Sequence, residues 1–146
     1  MKQHAINACG TIALFHITLN AKEKHPELIK PDSFLDKFSQ KAMNKDSEAR
    51  ADIFKNSEEI MHEHIHAVNE GQSNVSSNCN SHFISFVPKN GRIYELDGFK
   101  KCPVDHGVCT EEEFLAKGAA EIRKFMERDP DNINFSMIAL CSAQAQ

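Results

Sequence analysis

The chain has 146 residues, 40% hydrophobic and 26% charged, with 6 Gly and 5 Pro. Those proportions suit one domain of ordinary size with a real core and exclude disordered and collagen-like chains. Lys and Arg number 17 against 21 Asp and Glu, a net charge of −4, so no general positive field exists to hold nucleic acid by counterion release. The longest apolar stretch, Ile12 to Leu19, is broken by His16 and Thr18 and falls short of the roughly 20 residues a membrane span needs. The start, Met1-Lys2-Gln3-His4, lacks the basic, apolar and small-residue pattern of a secretory leader. These features predict a cytoplasmic protein with neither membrane nor nucleic-acid partners, and the chain is expected to be a monomer.

In chain order, Cys9 to about Lys22 is apolar nearly all round and predicts a helix buried inside the domain, with Asn7 as its cap. Pro31-Asp32-Ser33 and Asp46-Ser47-Glu48 read as helix starts ahead of Phe34, Leu35 and Phe38, and of Ile53 and Phe54. A further helix is predicted from Ser57 to Val68. Asn69 to Ser81, rich in Asn and Ser, has the composition of an exposed functional loop. From His82 to Val87 the residues alternate over two largely apolar faces, and Pro88-Lys89-Asn90-Gly91 closes a hairpin onto Arg92 to Leu96. Thr110 and Glu113 form a capping box for a helix reaching about Arg128, and Asn134 to Leu140 reads as a final strand. Helices followed by hairpin, helix and strand predict an α+β domain with an antiparallel sheet packed on helices.

The five cysteines, Cys9, Cys79, Cys102, Cys109 and Cys141, are odd in number and include no C-x-x-C pair, which disfavours a disulfide scaffold or a four-cysteine zinc site. Cys9 stands at the predicted start of the first helix, where the helix dipole stabilises negative charge and raises the thiolate fraction of a thiol. Burial as a small apolar residue is the commoner fate of a free cysteine. A thiolate nucleophile also needs a base and a group that orients that base. His82 and Asp97, at the outer ends of the two hairpin strands, can supply both. The Gln3 amide, six positions before Cys9, could donate to an oxyanion, or it is a polar surface residue.

The run Gln3-His4-Ala5-Ile6-Asn7-Ala8-Cys9-Gly10-Thr11-Ile12-Ala13-Leu14 resembles the active-site segment of the ubiquitin carboxyl-terminal hydrolases, which read Gln, five residues, then Cys-Gly-Thr. His82-Phe83-Ile84 and Tyr94-Glu95-Leu96-Asp97-Gly98 resemble that family's histidine and aspartate segments, and Lys124 to Pro130 is similar to the closing run of its short cytosolic isozymes. The resemblance implies a papain-like α+β fold and thiol-dependent hydrolysis of small adducts or peptides after the carboxyl-terminal glycine of ubiquitin or a ubiquitin-like protein, with no cofactor or metal. It implies Cys9 as nucleophile, His82 as general base and acid, Asp97 as its orienter and Gln3 as oxyanion donor. It also implies that the loop from Asn69 to Ser81 crosses the active site and limits substrate size.

Family members carry a substantial stretch ahead of the glutamine, so the resemblance casts residues 1–146 as a single, partial catalytic domain truncated at its amino terminus, of weakened activity. An impaired ubiquitin-binding protein or decoy is the alternative. Phe99 is a second departure, standing where the family usually follows Asp-Gly with arginine. A rival chemistry comes from His62-Glu63-His64-Ile65-His66, which matches the zinc-peptidase pattern H-E-x-x-H. Asn69 stands where the extended form of that motif has glycine, and adventitious metal binding or a solvated helix face account for the segment as well.

Overall fold

The structure, a computed structural model, describes residues 1–71 and 81–141. Most of the predicted loop from Asn69 to Ser81, with Cys79, lies outside the described residues. The elements run α1 (Cys9–Ala21), a short 3-10 turn (Pro26–Leu28), α2 (Phe34–Ala42), α3 (Ser47–Lys55), α4 (Glu58–Glu70), β1 (Ser85–Lys89), β2 (Arg92–Leu96), β3 (Val104–Val108) and α5 (Phe114–Met126). The three strands form an antiparallel sheet in the order β1-β2-β3, so the α+β expectation holds. Among the described residues no helix is long and apolar enough to cross a membrane.

The helix starts follow from their caps. Ser33, Asp46 and Ser57 each sit in extended backbone and accept a hydrogen bond from the amide three residues on, Asp36, Ala49 and Ile60 respectively, satisfying a donor that the first helical turn leaves without a partner. Thr110 and Glu113 make the reciprocal capping box, 3.0 Å and 3.3 Å between backbone N and side-chain oxygen, one turn ahead of regular α5. The first helix differs from expectation. Its N-cap is Ala8, with no side-chain cap bond, and Asn7 adopts a left-handed φ of 57°. Asparagine tolerates that conformation better than most residues, so Asn7 turns the chain into α1 rather than capping it.

α1 is the central element. Its Ile12 and Phe15 join Ala8, Phe38, Ala42, Phe54 and Ile60 in one buried cluster with α2, α3 and α4, where Phe15 meets Phe38 and Phe54 edge-on at 5.1 Å and 5.2 Å. The same helix packs on β1. Leu14 is 63% exposed, so one stripe of this apolar helix faces outward. On the sheet's other face Phe86 contacts Phe125 and Ile93 lies under Gly118 of α5. The sheet is therefore held between α1 and α5.

Two expectations about strands need correction. The segment Asn134 to Leu140 is not a strand, and Ile133 and Ile138 are 90% and 86% exposed. Alternating apolar residues favour extended backbone, but a strand requires a partner edge, and none of the three described strands pairs with this segment. Conversely β3 gave no periodic signal, because Asp105, His106 and Gly107 interrupt it. Its polar side chains are satisfied by distant partners: Asp105 by Arg92 at 2.7 Å, and His106 by Glu95 at 3.0 Å and Glu121 at 2.9 Å.

Two stability measurements test this account. Phe54, 2% exposed, is expected to cost about 3–5 kcal/mol when cut to alanine, whereas Leu14→Ala should stay within about 0.5 kcal/mol, both read from urea midpoints. His16, buried on α1, has its pKa held down to about 4, first by burial and then by the Met1 ammonium. The unfolded chain takes up that proton near pH 6.5 and the folded chain does not until about pH 4, so stability falls with pH across this window. The loss between pH 7 and pH 5 should be about 2 kcal/mol, and His16→Gln should flatten the profile. His64, whose pKa burial also lowers, adds a slope of the same sign.

Candidate active site

The sequence places a type I′ signal, Asn90-Gly91, between two short apolar strands, and both residues take left-handed φ values of 51° and 70° as that turn requires. Pro88 pairs with Ile93 and Ser85 with Leu96. The proline is tolerated because β1 has only β2 beside it in the described sheet. Continued outward, this register carries residue 82 back alongside the residues that follow β2. There His82 Nε2 lies 2.7 Å from Asp97 Oδ1, with the two side chains only 26% and 11% exposed.

Asp97 begins a tight turn. Its carbonyl accepts the Lys100 N–H at 3.2 Å, and its Oδ1 also accepts the Phe99 N–H at 2.8 Å. Burial works to raise the pKa of this carboxyl, but the hydrogen bonds from His82 and Phe99 outweigh it and hold the group below its ordinary value. Asp97 is thus a carboxylate at neutral pH, and the His82 ring donates to it through Nε2–H. That bond selects the tautomer whose Nδ1 carries the lone pair.

Cys9 is the first residue of α1 and is partly exposed. Thr11, two residues on, is anchored by its hydroxyl at 2.8 Å from His64 Nδ1 on α4, and the next amide, Ile12 N–H, bonds to the Ala8 carbonyl at 2.8 Å. Gln3 is tied to the aspartate turn: its N–H donates to the Gly98 carbonyl at 3.0 Å. Its Oε1 is buried with no hydrogen-bond partner among the described residues. A cleft of about 390 Å³ is lined by Gln3, Ile6, Asn7, Cys9, His82 and Phe99, among others. All four residues singled out from the sequence therefore meet at one place: Gln3, Cys9 and His82 on its wall and Asp97 behind His82.

Phe99, which stands out in the sequence only as a departure from the family pattern, stacks its ring on the His82 imidazole with centroids 4.4 Å apart and planes 8° from parallel. His82 is eight positions before Asn90 and Phe99 eight after Gly91, so extending the register of a two-residue turn would have paired them. The two histidines of the H-E-x-x-H segment, His62 and His66, stack on α4 with ring centroids 6.5 Å apart. His64 is buried against Thr11, while His62 and His66 are exposed and approach Glu63 and Glu70. Among the described residues no group of three or more His, Cys, Asp or Glu side chains is placed to hold a metal.

A thiol at the start of a central helix, sharing a cleft with a histidine backed by an aspartate, the two delivered by an antiparallel hairpin, defines a papain-like α+β protein. A family model described as "Ubiquitin carboxyl-terminal hydrolase, family 1" matches residues 1–127, and the chain belongs to that family. It is 36% identical over 146 residues to a ubiquitin carboxyl-terminal hydrolase of Drosophila melanogaster, covering 99% of this chain and 63% of the relative. It is 38% identical over 143 residues to isozyme L1 of Rattus norvegicus and of Homo sapiens, covering 98% of this chain and 63% of each. The chain thus spans less than two thirds of the length of these curated relatives. Among solved structures, the catalytic domain of Trichinella spiralis UCH37 bound to ubiquitin vinyl methyl ester shares the fold with a TM-score of 0.66 at 24% identity, over 92% of this chain and 58% of that one. A second structure of the same protein gives 0.70 at 24% identity, over 91% and 53%.

Gly98 provides the test of how this site is assembled. A Cβ there would lie 2.8 Å from the Gln3 Cβ and 3.3 Å from its backbone nitrogen, so Gly98→Ala must push the Gln3 segment off the turn. We expect a loss of about 1–3 kcal/mol in urea melts together with faster amide exchange at Gln3. Unchanged exchange would mean that the two segments are not held together by this contact.

Proposed function

We propose that the chain is a thiol-dependent hydrolase that releases small adducts or peptides from the carboxyl-terminal glycine of ubiquitin or a ubiquitin-like protein, working in the cytoplasm. The observation that carries this reading is the 2.7 Å His82–Asp97 bond at a cleft that Cys9 and Gln3 also line. The UCH37 relatives are described as bound to ubiquitin vinyl methyl ester, a reagent that carries ubiquitin to a thiol.

In this mechanism His82 Nδ1 takes the Cys9 thiol proton, and the thiolate attacks the glycine carbonyl. The developing oxyanion accepts hydrogen bonds from the Gln3 amide and from the Cys9 backbone N–H, one of the donors that a helix start leaves without an intrahelical partner. His82 then gives its proton to the departing amine or thiol, leaving a thioester on Cys9. Water, deprotonated by the same Nδ1, hydrolyses that thioester and restores the thiol. Asp97 holds the imidazole in the required tautomer throughout and stabilises the imidazolium when it forms.

Ubiquitin vinyl methyl ester tests the reading directly. The full chain is expected to gain the mass of one ubiquitin, at Cys9, with and without a chelator, and Cys9→Ser to gain none. A folded chain that forms no adduct, or an adduct that survives Cys9→Ser, would overturn the assignment. On a ubiquitin carboxyl-terminal coumarin amide, His82→Ala should lower kcat by about a hundredfold or more, because it removes the proton carrier. Asp97→Asn should be milder, and Cys109→Ala should leave turnover in place.

A further inference from the structure

We infer that Phe99 is a positioning residue that fixes the plane of the His82 imidazole, an inference that rests on the reading of His82 as the base for Cys9. A single hydrogen bond from Nε2 to Asp97 leaves the ring free to swing about that bond, so Nδ1 sweeps an arc. A flat partner lying 8° from parallel at 4.4 Å removes that freedom. Bond and stack together define where Nδ1 points, and proton transfer depends on that direction.

Phe99 is itself held from several sides. Its N–H donates to the same Asp97 Oδ1 that receives His82 Nε2, its carbonyl accepts Lys2 Nζ at 3.3 Å, and its neighbour Lys100 is paired with the buried Glu95. The ring and the imidazole it faces are thus referenced to one carboxylate oxygen. Phe99 is nonetheless 63% exposed and lines the cleft, unlike the core phenylalanines Phe15, Phe38 and Phe54 at 2–3%. Little burial energy is gained by keeping a large apolar ring there; what the position provides is a rigid plane against the histidine.

The experiment compares the full chain with Phe99→Leu, which keeps apolar bulk but has no plane, and Phe99→Tyr, which keeps the plane. Three readouts are used: the NMR signals of the His82 ring protons, the rate of Cys9 alkylation by iodoacetamide followed on its peptide by mass spectrometry, and hydrolysis of the ubiquitin coumarin amide. Phe99→Leu should lose the ring-current shift at His82, slow the alkylation of Cys9, and lower kcat about tenfold with KM near the parent value; Phe99→Tyr should match the parent in all three. Unchanged His82 signals and alkylation in Phe99→Leu, or a loss confined to KM, would overturn the inference. If the parent hydrolyses no ubiquitin substrate, the functional reading fails, while the His82 spectrum and the alkylation rate still decide the role of Phe99. Urea melts of the two variants separate a local change from loss of folding.

Discussion

The register of the β1–β2 hairpin is the constraint on which the candidate site depends. A two-residue turn whose residues both have positive φ matches the natural twist of antiparallel strands, and it leaves one pairing, Lys89 with Arg92 through Ser85 with Leu96. A slip of one residue would exchange the faces of the strands, sending Val87 and Ile93, 4% and 1% exposed, to the wrong sides. Core burial and turn chemistry therefore enforce the same register. His82 meets Asp97 as a consequence of that register, with no attraction between them needed to bring the strands together.

The thiol side of the cleft is placed by independent means. α1 is locked by the Phe15, Phe38 and Phe54 cluster on one side and by β1 on the other, and its start is set by the left-handed Asn7 and the His64–Thr11 bond. Cys9 thus sits at the end of a rigid rod whose position is decided by apolar packing far larger in energy than any bond the thiol could make. Gln3 closes the arrangement because Gly98 lets the two backbones approach within hydrogen-bonding distance.

Local chemistry was legible in the sequence, and long-range satisfaction was not. Caps at Ser33, Asp46 and Ser57 and the Thr110–Glu113 box are each decided within four residues and stand where the pattern predicts, while the hairpin expected to close over Pro88 to Gly91 turns on Asn90-Gly91 alone, with Pro88 and Lys89 paired in β1. β3 was illegible because Asp105 and His106 look like loop residues until Arg92, Glu95 and Glu121 are brought to them by the fold. Asn134 to Leu140 failed in the opposite direction: its alternation is a property of the segment, whereas pairing is a property of two. The candidate Cys9, His82, Asp97 and Gln3 were each ambiguous by spacing alone and gained meaning from their joint resemblance to one family. In the sequence Phe99 stands out only as a departure, since a stack across a hairpin end has no signature in either strand taken singly.

The turn from Asp97 to Lys100 shows how densely such a site is determined. Asp97 accepts the hydrogen bond of His82, Gly98 admits Gln3, Phe99 stacks on the imidazole, and Lys100 reaches Glu95, which is 1% exposed on β2. Glu95 also pairs with His106, and His106 continues to Glu121 on α5, so a chain of polar contacts runs from the turn across the sheet to the helix behind it. Buried ion pairs contribute little net stability over a well-packed apolar replacement, but losing one partner is costly because a charge is then left bare. The network therefore acts less as a source of folding energy than as a penalty on any geometry in which Lys100 leaves Glu95. Between Lys100, paired with Glu95, and Asp97, bonded to His82, the Phe99 backbone is tied by its N–H to Asp97 and by its carbonyl to Lys2, and its ring lies against the imidazole that the same carboxylate holds.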